Sequence, residues 1–127
     1  MDPITLIVTA LTAGASAALK GAAEQAVKDA YGGLKSLLKR KFGGKPVAES
    51  VDQHEKAPEA WKQPLEQQLR DVGAGDDEEI IRAAQKVLAQ TDPEGARAGK
   101  YNVTVSGGKG VVVGDRNTVT MTFEDKD

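Results

Sequence analysis

Cysteine is absent from the 127-residue chain and histidine occurs once. The first absence excludes a disulfide framework, a thiolate metal site and a cysteine nucleophile; it suits a reducing compartment. Aromatics are scarce too: one tryptophan, two tyrosines and two phenylalanines. Leucine, valine, isoleucine and alanine must therefore supply the core. A net charge of −2 is too near balance for nucleic-acid binding by bulk electrostatics, so no nucleic-acid partner is expected.

Signatures of catalysis are missing as well. There is no HExxH and no GxxxxGK[ST] loop. Gly107-Gly108-Lys109-Gly110 has no helix after it to present backbone N–H groups to an anion. Asp76-Asp77-Glu78-Glu79 lacks EF-hand spacing and reads as a helix start, with Asp76 as cap and Glu79 three residues on. His54, between Asp52 and Glu55, reads as a surface histidine, and Trp61 as a plug between helices. The expectation is a protein that is not an enzyme and uses neither metal nor cofactor.

A long apolar run is nearly lacking. Pro3 to Leu19 holds no charged residue, but Thr, Ser and Gly dilute it, and a spanning helix wants about 20 mostly apolar residues. No basic region precedes it, so Ala15-Ser16-Ala17 is not read as a signal-peptide cleavage site. Asp2-Pro3 is a helix start, and Ile4, Leu6, Ile7, Val8 and Leu11 leave almost no polar face except threonine. At rest such a helix belongs inside a bundle. Gly14 and Gly21 permit close packing or a bend.

What is present is segregated charge and two periodicities. Residues 20–45 carry seven basic side chains against two acidic, and residues 46–99 carry six against twelve. The basic segment suits anionic lipid headgroups, or equally a solvated helix face paired with the acidic half. Helical spacing runs from Ala22 to Phe42 and from Val47 to Lys56. Pro58 and Pro64 bracket a turn; helices follow from Pro64 to about Val72 and after Asp76. The fold class is all-α, a small bundle of four to five helices over residues 1–92. Residues 93–100 read as a linker.

Period two then takes over in residues 101–127. Tyr101 to Val105, Val111 to Val113 and Thr118 to Phe123 are β-forming, with glycine-rich or Asp-Arg-Asn turns between them. Three short strands would make either a marginal folded meander or an amyloid-forming tail, in which intermolecular stacking pairs every edge. The expected stacking core is Val103, Val105, Val111, Val112, Val113, Gly114, Asn117, Val119, Met121 and Phe123.

Two resemblances follow from these residues. Gly110-Val111-Val112-Val113-Gly114-Asp115-Arg116-Asn117 resembles bacterial amyloid signalling motifs related to the RHIM, with Val112 where that pattern has Gln. MDPITLIVTALTAG with KDAYGGLKSLLKRKF resembles Bell domains, bacterial analogues of fungal HeLo domains and of the executioner domain of mixed-lineage kinase domain-like protein. The first covers the tail and the second roughly residues 1–92. Together they imply a cell-death executor, cytoplasmic at rest. Its tail would be seeded by a nucleotide-binding receptor carrying a matching motif and would then form an amyloid homo-oligomer. Its N-terminal helix, through Ile4, Leu6, Ile7, Val8 and Leu11, would enter the cell membrane, with anionic lipid as a candidate partner. A non-lethal adaptor, with a partner-binding bundle and a self-assembling tail, is the alternative.

Overall fold

A computed structural model describes residues 1–19, 24–104 and 112–113. Helix α1 (Pro3–Leu19) starts where the carboxylate of Asp2 accepts from the Thr5 N–H at 2.9 Å. It packs against α2 (Gln25–Phe42), α3 (Pro46–Lys56), α4 (Pro58–Asp71) and α5 (Glu78–Thr91). A one-turn α6 (Pro93–Arg97) closes the helical body. The apolar sequence of α1 explains its place: a helix with almost no polar face must be covered by neighbours on most sides.

One core results. Leu6, Ile7 and Leu11 of α1 meet Leu34 and Leu38 of α2, Val47 and Val51 of α3, Leu65 and Leu69 of α4, and Ile80, Ile81, Val87 and Leu88 of α5 within one buried cluster. Each fully buried aliphatic side chain contributes about 1.5–3 kcal/mol of transfer free energy. Gly14 lies under the ring of Tyr31, where a Cβ would overlap the ring; it lets α1 and α2 approach closely.

Three local expectations need correction. Pro58–Asp71 is one helix with Pro64 inside it, so Trp61 sits half-buried on a helix and outside the buried core cluster. Proline removes a backbone hydrogen bond and disfavours a helix interior, yet Leu65 and Leu69, both fully buried, hold this helix through it. The cap of α5 is Asp77, whose Oδ1 accepts from Ile80 N at 3.2 Å; Asp76 is spent in a 3₁₀ turn over Ala74–Asp76. His54 is buried, 1% exposed, and not on the surface.

The segment expected as a linker carries α6, capped by Asp92 through Gly95 N at 3.1 Å. The helical body therefore runs on past residue 92. Strands β1 (Val103–Thr104) and β2 (Val112–Val113) pair antiparallel, Val103 opposite Val113 and Thr104 opposite Val112. The remaining expected tail-core residues, Val105, Val111, Gly114, Asn117, Val119, Met121 and Phe123, lie outside the described residues.

Candidate functional site

The five residues assigned to membrane entry are hidden at rest. Ile4 is 6% exposed, Val8 2%, and Leu6, Ile7 and Leu11 no more than 1%. Sequence reading had them buried in the monomer, and they are. The helix keeps one polar stripe, which its sequence spacing marks as a seam for joining helices or lining a pore. Thr5, Thr9, Thr12 and Ser16 recur at helical spacing and line a groove of about 450 Å³ opposite Pro58, Glu59, Lys62 and Glu66 of α4. No helix among the described residues is long and apolar enough to cross a membrane.

Thr12 binds α1 to α3. Its hydroxyl donates to Val8 O at 2.9 Å and lies 3.1 Å from His54 Nε2. With its single proton committed to Val8, the hydroxyl accepts from the ring, which places a proton on Nε2. Burial holds His54 below its ordinary value of 6.5, opposed by the Glu55 charge. Below that value the unfolded chain binds more protons than the folded one. The contribution is thus complete above about pH 6.5 and is lost as pH falls toward the lower folded value. Melts followed by circular dichroism should show the midpoint dropping between about pH 7 and 5. His54→Gln, which keeps a donor for Thr12 and does not titrate, should flatten that drop; an unchanged pH profile would remove His54 from the account.

The root of the tail is built into the body. Tyr101 and Val103 are buried in the common core, at 6% and 3% exposure. Gln85 Nε2 donates to Tyr101 O at 2.8 Å, and the Tyr101 hydroxyl donates to Asp92 Oδ2 at 2.6 Å. Burial and this carboxylate push the Tyr101 phenol up to about 12, while hydrogen bonds from Tyr101 and Gly95 N hold Asp92 below the usual carboxylate range. The Met1 amino group lies 3.4 Å from Asn102 O, so the head of α1 and the root of the tail share one end of the bundle. Only a three-dimensional arrangement brings Asp92 and Gln85 to Tyr101 and Met1 to Asn102, and the period-two pattern gave no hint of it. Tyr101→Phe deletes one bond and leaves the ring in place. It should lower the midpoint by a few degrees, more at neutral pH than below the Asp92 titration; calorimetry at two pH values checks this.

The basic segment is paired with the acidic half, as one of its two readings expected. On α3, Glu55 lies 2.8 Å from Lys35 Nζ and Asp52 lies 2.7 Å from Lys39 Nζ. At the start of α5, Asp77 and Glu79 lie 2.7 and 2.9 Å from Lys41 Nζ, and Glu79 lies 3.5 Å from Arg40. Hydrogen bonds to Asp77 and Glu79 raise the Lys41 ammonium; the same contacts lower Glu79. Burial alone would raise Asp77, but Lys41 and the Ile80 N–H outweigh it. Lys28 and Lys45 have no carboxylate partner among the described residues.

An apolar first helix enclosed by an all-α bundle is the arrangement that the HeLo-like resemblance implies. The chain matches the Het-E N-terminal domain family over residues 1–127 and belongs to it. This is a HeLo-like family of fungal heterokaryon incompatibility, associated with regulated cell death. The match reaches the HeLo-like level of the resemblance; it does not extend to the Bell subtype or to the bacterial RHIM-like motif. No curated protein and no solved structure matches the chain.

Proposed function

We propose that this chain is an executor of regulated cell death that rests in the cytoplasm as a closed bundle and permeabilises the cell membrane when its tail is seeded into amyloid. The seed would be a nucleotide-binding receptor with a matching RHIM-like motif, and the Bell-type comparison supplies that expectation. One observation supports the coupling best: Val103, the first residue of the expected stacking core, is buried in the same cluster as Ile4, Leu6 and Ile7 of α1. A fibril that claims Val103 must draw it and Tyr101 out of that cluster, at about 1.5–3 kcal/mol for each large apolar side chain. A complete backbone ladder at a fibril end offsets this. Many bundles tethered to one fibril then raise the local concentration of freed α1 helices.

A second reading has its own observation. At 17 residues, α1 extends about 25 Å, short of the roughly 30 Å hydrocarbon layer. That favours a non-lethal adaptor unless oligomerisation or local thinning closes the gap. Dye-filled anionic vesicles separate the two. The full chain, mixed with preformed fibres of a 101–123 peptide, should release dye. Ser16→Asp should not, because it charges the apolar run from its exposed stripe without entering the core. Fibres that grow without leakage favour the adaptor. Leakage indifferent to Ser16→Asp sinks insertion of α1.

A further inference from the structure

We infer that the outer face of α2 is a docking surface for the phosphates of an anionic bilayer, and that carboxylates of α3 and α5 keep it neutral in the resting bundle. The inference deepens the executor reading and rests on it. The pairing carboxylates Asp52, Glu55, Asp77 and Glu79 all lie off α2, so the neutrality depends on tertiary packing. Within α2 itself Asp29 is the sole acid.

Two of the pairs are also exchangeable, whereas Lys35–Glu55 and Lys41–Asp77 are more enclosed. The side chains of Lys39 and Asp52 are 42% and 48% exposed, and those of Arg40 and Glu79 are 69% and 59%. Exposed ion pairs add little stability. They do cancel one another's field within a Debye length of about 8 Å, so the closed bundle offers an approaching membrane little attraction. Once α3 and α5 part from α2, each freed cation near an anionic surface gains about 1 kcal/mol. Gly32 and Gly33 lie between Lys28 and Lys35, and an added Cβ at either would meet nothing within 4 Å, so no side chain there stands between these cations and a headgroup.

Stable membrane attachment takes two signals, such as one apolar anchor with one basic patch. Helices α1 and α2 are consecutive, and both pack on α3 and α5. A single opening of the bundle therefore supplies both signals together. The apolar anchor released beside the basic face, which a nucleic acid would leave unused, favours a bilayer.

The test uses the unseeded full chain and co-sedimentation with vesicles containing phosphatidylglycerol or phosphatidylcholine alone. The triple variant Asp52→Asn, Glu55→Gln, Glu79→Gln should bind the anionic vesicles at least about tenfold more tightly than the parent. The gain should vanish at high salt and be absent on phosphatidylcholine. Adding Lys35→Gln, Lys39→Gln and Arg40→Gln should erase it, with helical melts showing that each variant is folded. Equal binding by parent and triple variant, an equal gain on neutral vesicles, or preferential capture of a single-stranded oligonucleotide would overturn the proposal. The gain with no seeded leakage would sink the executor reading and leave the masked surface; leakage with no gain would do the reverse.

Discussion

Ile7→Asp is expected to abolish the cooperative thermal transition of the bundle. Ile7 is fully enclosed in the cluster formed by α1, α2, α3, α4 and α5. The described part of α1 contains no basic residue that could pair with a new carboxylate. An unpaired buried charge costs several kcal/mol even after relaxation, and the lost isoleucine adds about 1.5–3 kcal/mol. Small domains hold about 5–15 kcal/mol in all, so the two losses together approach the whole. Circular dichroism should show a broad, non-cooperative decline, or low helicity at room temperature; a sharp transition within a few degrees of the parent would refute the placement of Ile7. The position matters for function too. Loss of toxicity in this variant would report a broken bundle as readily as failed insertion, which is why the exposed Ser16 is the better probe.

Gly14→Val should destabilise by about 1–3 kcal/mol, although glycine-to-larger changes inside helices ordinarily stabilise. The reason is the ring of Tyr31, which occupies the space a Cβ would need. The ring is itself pinned: Tyr31 is 5% exposed, Lys35 Nζ stands 5.2 Å from its centroid, and burial followed by the Glu55 charge drives its phenol well above the usual tyrosine range. It has little freedom to move aside. Tyr31→Ala should recover part of the loss in the Gly14→Val background while being destabilising alone, a coupling that a double-mutant cycle measures. Additive effects would mean that the two residues do not share the contact.

The charged surface shows where pattern reading stops. Seven cations in residues 20–45 are visible to anyone who counts them, and their excess alone suggests a lipid-facing helix. Whether that excess acts at rest depends on where acids from elsewhere in the chain come to lie. Asp52 and Glu55 sit one helix later and Asp77 and Glu79 three helices later, and packing brings them within hydrogen-bond reach of Lys35, Lys39 and Lys41. His54 followed the same course: its polar neighbours in sequence suggested solvent, whereas the turn of α3 aims it at Thr12.

By itself the sequence determined the class of structure and its two ends. Charge-free residues 3–19 require cover from neighbours, helical periodicity specifies most of the bundle, and the shift to period two after residue 100 marks a β-forming segment; each is a local property of side-chain order. Tertiary structure alone decided how those ends are related. It carried α4 straight through Pro64, moved the α5 cap to Asp77, and buried Tyr101 and Val103 beside α1. Those outcomes turn on apolar area and hydrogen bonds shared between residues far apart in the chain. No local pattern records them, because their free energy exists only once the elements have packed.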